Sequence, residues 1–306
     1  MLVTPSDTDL NSVKNAPRSA IRAYLGGSFD PVHNGHMQMA MHVYQCLLPI
    51  AEQQQRALYV SLLPNARSPF KQQSIDPAHR LAMLELATQD TPLQINELEL
   101  WQKPPVYTID SVHTLRQRYP NDCLIFIMGM DSARSLEKWK DGLQLTDYVH
   151  LWLFDRDENL ANDHINKPDI SPQALSIDQN DNKQNLSTQN LANLYVELPP
   201  QLQAQITKNP IDLTQLLSDC LERSKFLKNS PRLKDSALGR IYIDSRSVMA
   251  ISSTDIRQQL REPLFEQLPT NDFIASNKPN NLAHLLNPTV YQYIIAHQLY
   301  SAAQFR

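Results

Sequence analysis

The sequence predicts an α/β protein whose centre is a doubly wound parallel sheet. Apolar runs of strand length alternate with longer stretches of helical apolar spacing, and the first apolar run ends at a pair of glycines. Strands and helices that alternate in this way form parallel sheets with helices packed on both faces. The chain has 306 residues, 42% of them hydrophobic, which is enough for one large domain or two smaller ones.

The predicted elements follow one another along the chain without an internal repeat. Five apolar runs are interpreted as strands: AIRAYLGG (20–27), RALYVSLLP (56–64), CLIFIMGMD (123–131), HLWLF (150–154) and GRIYIDSRSVM (239–249). Six runs are interpreted as helices, at 36–53, 76–90, 107–120, 213–227, 250–262 and 287–300. Asp76 is expected to cap the second helix with Pro77 at its first position, and Pro288 lies near the start of the last.

Changes in composition divide the chain into segments. Residues 1–19 are predicted to be a flexible leader, and residues 20–306 a single domain. Within it, 157–235 is interpreted as an insertion and 250–306 as a C-terminal helical part. The segment 157–190 has no aromatic residue and no glycine and is rich in Asn, Asp and Gln. Such a segment buries too little apolar surface to offset its ordering entropy, so we expect it to be disordered.

Charge and cysteine content exclude several classes of function. The net charge is −4 and the sequence pI is about 6.1, so there is no overall basic surface for nucleic acid. Cys46, Cys123 and Cys220 show no C-x-x-C spacing, so no zinc site is predicted. No apolar run reaches the length of a membrane span, and the polar start does not resemble a signal peptide. A cytoplasmic protein with no membrane or nucleic-acid partner is expected.

The segment GGSFDPVHNGH follows the first predicted strand and opens the first predicted helix. Three of the six glycines, Gly26, Gly27 and Gly35, lie here, together with His33 and His36. A helix N-terminus offers N–H groups and partial positive charge to a phosphate, and glycines let the phosphate approach the backbone. Neither G-x-x-x-x-G-K-[ST] nor G-x-G-x-x-G is present. The two histidines are therefore the candidate hydrogen-bond donors to the phosphate oxygens. The alternative is that each histidine only caps the helix or fills the core.

A second helix start, ISSTDIR (251–257), carries a compatible set of groups. Ser252 or Ser253 is a natural N-cap, and Ser253 and Arg257 share one face of the helix. A hydroxyl, backbone amides and a guanidinium at one helix end form a suitable clamp for a polyphosphate. The alternative is an ordinary capped helix with a surface arginine.

Together these two segments resemble the signatures of the nucleotidylyltransferase superfamily with the H-x-G-H motif. The closer resemblance is to the bacterial nicotinate-nucleotide adenylyltransferases. Further similar segments are LPNARSPFKQ (63–72), NELELWQKPPVYTIDSVHTLRQRYP (96–120), FIMGMDSARSLEKWKD (126–141) and YQYIIAHQLY (291–300). The resemblance covers about 20–155 and 236–300, and it implies a Rossmann-like fold.

The resemblance also implies a reaction. The 5′-phosphate of nicotinate mononucleotide attacks the α-phosphorus of ATP, which yields nicotinate adenine dinucleotide and pyrophosphate in NAD biosynthesis. No covalent enzyme intermediate is implied, which suits a site that works by positioning and charge stabilisation. Mg²⁺ is expected to enter with ATP, held mainly by the nucleotide and water, so no protein metal ligands are predicted.

By the same resemblance, His33, His36 and Arg257 are the expected catalytic residues. Ser253 and Arg257 would hold the ATP tail. The full ATP site would comprise Gly26, Gly27, Ser28, Phe29, His33, His36, Gly129, Asp131, Ser252, Ser253 and Arg257. For Asp131 the alternative is a helix N-cap.

The acceptor site implied by the resemblance comprises Asn65, Lys71, Tyr107, Thr108 and Trp139. An aromatic ring such as that of Trp139 can stack on the pyridine ring, and Thr108 with nearby amides can donate to the nicotinate carboxylate. Neutral donors would reject a carboxamide, whose NH₂ group would face another donor. For Tyr107 and Trp139 the alternative is core packing.

The chain departs from the family pattern at Phe70, at Pro104 or Pro105, at Val106 and in the loop after Phe154. These changes touch the edge of the acceptor pocket, and the insertion has no recognised counterpart in the family. A sister enzyme acting on nicotinamide mononucleotide or another acceptor therefore remains an alternative. A non-catalytic nucleotide-binding protein is the alternative from another class, and the oligomeric state stays open.

Overall fold

A parallel sheet forms the centre of the structure. The computed structural model describes residues 19–66, 74–155, 194–217, 238–246, 248, 251–261 and 282–300, and within these ranges seven strands form one sheet. The strands are β1 (Ile21–Gly27), β2 (Leu58–Pro64), β3 (Gln94–Ile95), β4 (Cys123–Gly129), β5 (His150–Phe154), β6 (Ile206–Thr207) and β7 (Ile241–Asp244). Their order across the sheet is β3-β2-β1-β4-β5-β7-β6, and each neighbouring pair is parallel.

Helices cover the sheet in the described ranges. They are α1 (Asn34–Gln54), α2 (Pro77–Thr88), α3 (Thr108–Arg118), α4 (Met130–Arg134), α5 (Pro200–Gln203), α6 (Ser253–Arg261), α7 (Leu282–Leu285) and α8 (Pro288–Ala296). Short 3₁₀ helices span Leu136–Lys138, Gly142–Asp147 and Pro210–Thr214. None of the helices in the described part of the chain has the length and apolar character needed to cross a membrane.

The strand order places a topological switch between β1 and β4. Leu25 of β1 pairs with Leu62 of β2 on one side and with Ile127 of β4 on the other. The chain proceeds from β1 outwards to β2 and β3, then returns to β4 and continues to β5. Ligands of doubly wound sheets bind outside the carboxyl ends of the strands at such a point. The predicted doubly wound sheet is confirmed, and it directs attention to the residues after β1 and β4.

The two faces of the sheet carry separate apolar cores. Alternate side chains of β1 point to opposite faces, so Ala23 and Leu25 pack with α1 while Tyr24 packs with α3. On the first face, α1, α2 and α8 contribute buried side chains; on the second, α3 and α4 do so. Helices on both faces explain why β4 is apolar at every position: all seven of its residues are buried.

The helix starts follow local sequence signals. Asp76 Oδ1 accepts a hydrogen bond of 2.8 Å from the Ala78 amide, with Pro77 at the first position of α2. Asn287 Oδ1 accepts one of 2.9 Å from the Thr289 amide at the start of α8. A side-chain acceptor satisfies an amide that has no partner within the helix, and proline loses nothing at the first position. The predicted cap at Asp76 is confirmed.

Some elements differ from the sequence-based expectations. The strands β3 and β6 have two residues each, too few to show a periodic pattern. The predicted helix at 213–227 is wrong in its described part, where a 3₁₀ helix ends at Thr214. Residues 1–18 and 156–193 lie outside the described residues, so the predicted leader and disordered segment stay predictions. The described part of the predicted insertion adds β6 to the sheet edge and Leu213 to the core.

Candidate active site

The β1–α1 loop, defined here as residues 28–33, leaves the carboxyl end of β1 next to β4. Phe29 in this loop has a positive φ of 47°, and its side chain is buried. Outside glycine, such a conformation is uncommon and is held in place by the surrounding structure. The loop therefore turns sharply before α1 begins, which keeps its backbone at the switch point.

Gly26 and Gly27 make room for aromatic rings. A Cβ atom on Gly26 would lie 2.7 Å from Cζ of Phe126, and one on Gly27 would lie 3.0 Å from Cζ of Phe29. Both rings are buried, so neither can move aside at low cost. The structure thus gives the glycine pair a packing role at the base of the loop. Direct approach of a phosphate to their backbone stays a prediction.

His33 and His36 form a stacked pair at the start of α1. Their ring centroids are 3.6 Å apart with an interplanar angle of 21°, and the ring of Phe29 contacts that of His36 edge-on at 4.9 Å. The His33 amide donates to His36 Nδ1 over 3.3 Å. Because Nδ1 of His36 is an acceptor, the proton of the neutral ring lies on Nε2. Both imidazoles are buried, so they combine the predicted position with the packing expected of core histidines.

The start of α6 docks onto the same loop. Ser253 Oγ donates to the carbonyl oxygen of Pro31 over 3.0 Å, and Arg257 Nη1 donates to that of Asp30 over 2.6 Å. These contacts join segments more than 220 residues apart in sequence. The two segments that the resemblance assigns to one ATP site are therefore in direct contact. Here the serine and arginine hold the loop itself.

The N-cap of α6 is Ser252. Its carbonyl accepts from the Ile256 amide over 3.1 Å, and its Oγ accepts from the Thr254 amide over 3.1 Å. An N-cap residue makes both of these bonds. The choice between Ser252 and Ser253 is thereby resolved, and Ser253 is left to contact the loop.

Asp30 is a buried carboxylate in the loop that the sequence analysis did not assign. Its side chain is 2% exposed, and Oδ1 accepts a hydrogen bond of 2.8 Å from the hydroxyl of Tyr300. Burial, reinforced by this carboxylate, raises the pKa of Tyr300 well above its ordinary value, so the hydroxyl remains a donor. Asp30 lies within the segment GGSFDPVHNGH, but no local sequence pattern indicates that it contacts Tyr300.

Arg80 is a second residue that the sequence analysis missed. Its guanidinium is buried and donates to the carbonyl oxygens of Ser28 (2.9 Å), Asn65 (2.7 Å) and Ala66 (2.6 Å). Burial lowers the pKa of Arg80, while the nearby Asp30 carboxylate opposes that change. The fork of donors joins the ends of β1 and β2 in one rigid unit. An arginine within an amphipathic helix gives no sequence signal for this role.

Asn65 lies against the β1–α1 loop, and its role in binding a ligand stays a prediction. The backbone amide of Asn65 donates to the Gly27 carbonyl oxygen over 3.0 Å, and its side-chain Nδ2 is 3.5 Å from Ser28 Oγ. Its Oδ1 is buried and has no hydrogen-bond partner among the described residues. A buried acceptor in this state is costly unless a ligand or water satisfies it. Lys71, its predicted companion, lies outside the described residues.

The end of β4 supplies the next predicted positions. Gly129 is buried and is the N-cap of α4, while Asp131 is exposed in the first turn of that helix. The alternative that Asp131 is the N-cap is therefore wrong. Asp131 faces solvent beside the switch point, where a nucleotide would bind.

Three of the predicted acceptor residues, Tyr107, Thr108 and Trp139, lie on the face of the sheet that α3 covers. Tyr107 directly precedes α3, Thr108 is its first residue, and the rings of Tyr107 and Trp139 pack partly against the same apolar core. Lys140 connects the two segments, because its Nζ pairs with Asp110 at 3.1 Å and lies 4.7 Å from the centroid of the Tyr107 ring. Both aromatic residues are half-buried, so core packing accounts for part of each ring.

The fold and this geometry define a class of protein. Nucleotide-binding α/β proteins share three features that are present here. They are a doubly wound sheet, a loop with buried hydrogen-bond donors at the switch point, and a helix start that contacts that loop. Residues 24–259 match the cytidylyltransferase-like family, and the chain belongs to that family.

Individual relatives narrow the family further. The chain is 32% identical over 190 residues to the probable nicotinate-nucleotide adenylyltransferase of Idiomarina loihiensis, which covers 61% of this chain and 86% of the relative. The enzyme of the same name from Pseudoalteromonas atlantica is 28% identical over 278 residues, 90% of this chain and 93% of the relative. The nicotinate-nucleotide adenylyltransferase of Bacillus subtilis is 42% identical over 119 residues, 38% of this chain and 58% of that protein.

A solved structure supports the fold. The nicotinic acid mononucleotide adenylyltransferase of Plasmodium falciparum in complex with NaAD superposes with a TM-score of 0.53, covering 92% of this chain and 97% of that one. The sequence identity is 15%, so this likeness supports the Rossmann-like architecture alone.

Proposed function

We propose that this protein transfers the adenylyl group of ATP to nicotinate mononucleotide, which forms nicotinate adenine dinucleotide and releases pyrophosphate. The reaction belongs to NAD biosynthesis, and the cytoplasm is the proposed compartment. The observation that carries the proposal is the docking of Ser253 and Arg257 onto the loop that ends in His33. This docking brings the segments GGSFDPVHNGH and ISSTDIR together at the switch point between β1 and β4. The names of the relatives support the acceptor.

In the proposed reaction, an oxygen of the nicotinate mononucleotide 5′-phosphate attacks the α-phosphorus of ATP. The bond from that phosphorus to the bridging oxygen breaks, and pyrophosphate leaves with the electron pair. Charge develops on the phosphoryl oxygens, so fixed donors nearby lower the barrier. We assign this work to His33, His36 and Arg257. His36 Nε2, the protonated nitrogen of its neutral ring, is the proposed donor to the reacting phosphate.

The remaining ATP contacts are proposed around this centre. The loop residues Ser28 and Phe29 follow the strand end formed by Gly26 and Gly27, and the start of α6 adds its amides after Ser252. Gly129 and Asp131 lie at the end of the neighbouring strand, which suits the ribose and adenine. Beside Ser28, the buried Oδ1 of Asn65 can accept a hydrogen bond from the acceptor, nicotinate mononucleotide, to which Asn65 is assigned.

We propose that ATP binds as its Mg²⁺ complex. In the part of the chain that the structure describes, no group of three or more His, Cys, Asp or Glu side chains is placed to hold a metal ion. Mg²⁺ readily keeps several waters and binds through nucleotide phosphates. When it is bound, it neutralises part of the phosphate charge that the histidines and Arg257 also face.

The acceptor is proposed to bind at the start of α3. Trp139 would stack on the pyridine ring, while Thr108 and Tyr107 lie at the helix N-terminus, where amides and the helix dipole favour a carboxylate. Lys71 is the proposed contact for the acceptor phosphate. A neutral carboxamide would lose the favourable dipole interaction and would place donors against donors. This charge difference is the proposed basis for choosing nicotinate over nicotinamide.

One assay tests this proposal. Pyrophosphate release from ATP is measured with nicotinate mononucleotide, nicotinamide mononucleotide and phosphopantetheine offered separately. We expect nicotinate mononucleotide to give the highest kcat/KM. A preference for nicotinamide mononucleotide would overturn the acceptor assignment. Absence of turnover with all three, alongside ATP binding by calorimetry, would support the non-catalytic nucleotide-binding alternative.

A further inference from the structure

A cluster of four polar side chains, none of them among the predicted nucleotide-site residues, lies between α1 and the end of β7. It consists of His42 and Cys46, one turn apart on α1, and Asp244 and Arg246 at the end of β7 and just beyond it. Cys46 Sγ is 3.3 Å from His42 Nε2 and accepts from Arg246 Nη2 over 3.0 Å. The sulfur therefore faces two nitrogen donors that come from different parts of the chain.

Asp244 fixes the geometry of this cluster. Its carboxylate is 1% exposed, and Oδ2 lies 3.0 Å from His42 Nε2 and accepts from Trp152 Nε1 over 3.2 Å. Its Oδ1 accepts from the backbone amide and Nε of Arg246, at 3.1 and 3.2 Å. His42 Nε2 carries one proton, which Asp244 Oδ2 and Cys46 Sγ share, while the carboxylate holds the Arg246 guanidinium whose Nη2 donates to the sulfur. A cysteine next to an oriented imidazole and a guanidinium is the arrangement that stabilises a thiolate.

The charges around Cys46 support a thiolate. Burial would raise the pKa of Cys46, but hydrogen bonds and charges from His42 and Arg246 lower it below its ordinary value. Burial would lower the pKa of His42, yet its hydrogen bonds to Asp244 and Cys46 raise it to about 9. Tyr242 of β7 also faces the group, and burial raises its pKa above the ordinary value, so it adds no charge at neutral pH.

Accessibility separates Cys46 from the other cysteine in the described ranges. Cys46 is half-buried, and the Arg246 side chain beside it is 57% exposed, so a small reagent can reach the sulfur. Cys123 is buried in the core, donates to the Leu213 carbonyl over 2.7 Å, and has its pKa raised by burial to about 12. Reactivity of a thiol follows both thiolate character and access. Cys123 is thus a built-in control.

We propose that Cys46 is a nucleophilic thiolate and a site of reversible oxidation by hydrogen peroxide, in a cluster formed by His42, Asp244 and Arg246. The sulfur attacks one peroxide oxygen, the O–O bond breaks, and hydroxide leaves and takes a proton from the His42 imidazolium or from water. Cys46 loses two electrons and becomes a sulfenic acid, and the peroxide is reduced to water. A small thiol then condenses with the sulfenic acid to give a disulfide and water, and a second thiol restores Cys46 by exchange.

The first test measures alkylation of the folded wild-type protein by iodoacetamide across pH 5–10, with each cysteine followed on its own peptide by mass spectrometry. We expect the rate at Cys46 to reach half its maximum well below about 8.5, the value of an ordinary thiol. Cys123 should stay unmodified over the same time. A half-maximum at or above the ordinary value would overturn the proposal.

Variants separate the cluster from general exposure. Arg246→Gln and His42→Gln should each raise the half-maximal pH at Cys46 by about one unit, a tenfold loss of thiolate at a given lower pH. The control Arg118→Gln, an exposed arginine on α3, should leave it unchanged. Arg246 lies at the surface, so its variant folds even where His42→Gln does not. An unchanged midpoint in Arg246→Gln would contradict the proposed role of the cluster.

The second test concerns oxidation. Wild-type protein is treated with a small excess of hydrogen peroxide in the presence of dimedone, which traps sulfenic acids. We expect a dimedone adduct on the Cys46 peptide, none on the Cys123 peptide, and loss of labelling when dithiothreitol is added before dimedone. A Cys46 peptide without adduct, or labelled no faster than in Arg246→Gln, would rule out the proposed oxidation site.

Discussion

The donor side and the acceptor side of the proposed active site are held in different ways. On the donor side, the β1–α1 loop receives a buried hydrogen bond from Tyr300 and part-buried ones from Arg80 and Arg257, which lie 52 to 270 residues away in sequence. On the acceptor side, the described ion pair is Lys140–Asp110, whose side chains are 46% and 53% exposed. Buried hydrogen bonds to charged groups contribute far more to stability than exposed ion pairs.

This difference in hydrogen bonding indicates that the donor side of the proposed site is more rigid than the acceptor side. Nucleotidyl transfer requires hydrogen-bond donors that are already aligned when negative charge develops on the phosphoryl oxygens. Reorganisation of these donors during the reaction would cost part of the rate enhancement. The β1–α1 loop, which ends at His33, is held by hydrogen bonds from Arg80, Arg257 and Tyr300, which satisfies this need. The acceptor side is built from half-buried rings at a helix start, and it can change without disturbing the core. Substitutions should therefore damage folding and turnover on the donor side and affinity on the acceptor side.

Arg80→Met is expected to have the largest effect. The substitution removes the arginine donor of three carbonyl oxygens, a buried one of Ala66 and part-buried ones of Ser28 and Asn65. We expect the free energy of unfolding to fall by about 3 kcal/mol or more, since each unsatisfied buried group costs about 1–3 kcal/mol. Urea unfolding measures this. The control is Arg118→Met on the exposed face of α3; equal stability of the two variants would show that the arginine does not anchor the loop.

His36→Ala tests the catalytic assignment on the same side. We expect kcat to fall by about two orders of magnitude or more, the usual effect of removing a donor to developing charge. The melting temperature should change far less than in Arg80→Met. His284→Ala, which removes an exposed histidine whose backbone carbonyl contacts Asn34, is the control. Turnover close to that of the control would mean that His36 is a packing residue.

Glu99→Gln tests a buried carboxyl that neighbours Ser111 of α3, the helix at whose start the acceptor is proposed to bind. Burial raises the pKa of Glu99 from its ordinary 4.5 to about 7. The folded state therefore binds this proton more tightly than the unfolded state, and the stability it contributes below pH 4.5 is lost as pH rises through 7. Glutamine has no proton to lose, so the stability of the variant does not fall in this way as the pH rises. At pH 8 the variant should gain about 1–3 kcal/mol relative to wild type, with a much smaller gain at pH 4.5.

Urea unfolding at both pH values gives the comparison for Glu99. Glu97→Gln is the matched control, since Glu97 is exposed and its side chain contacts Trp101. The control should show the same small difference from wild type at both pH values. An equal effect of Glu99→Gln at pH 4.5 and pH 8 would contradict a raised pKa for this carboxyl.

The sequence was informative wherever the cause of a structure is local. The cap at Asp76 depends on neighbours in sequence, and the long strands and helices on apolar period, so these were predictable. The pairing of α6 with the β1–α1 loop followed from a resemblance carried by two motifs. Arg80 and Tyr300 could not be found in this way, because their partners are distant in sequence and their own surroundings look like ordinary helix. The edge strand β6 is too short for its period to be visible.

Trp139→Ala is expected to have the smallest of these effects and to separate the two sides. Stacking of an aromatic ring contributes about 0.5–1.5 kcal/mol, so the KM for nicotinate mononucleotide should rise up to about tenfold. The KM for ATP should stay unchanged, because the donor side is anchored through the β1–α1 loop and α6 rather than through this segment. Steady-state kinetics with each substrate varied in turn measures both values. Lys140→Ala is the control for local disturbance: it removes the exposed pair with Asp110, worth about 0.2–1 kcal/mol, and the contact with the Tyr107 ring, but it leaves the Trp139 ring in place. A rise in the KM for ATP in Trp139→Ala would show that the two sides are coupled and that the acceptor pocket also shapes the nucleotide site.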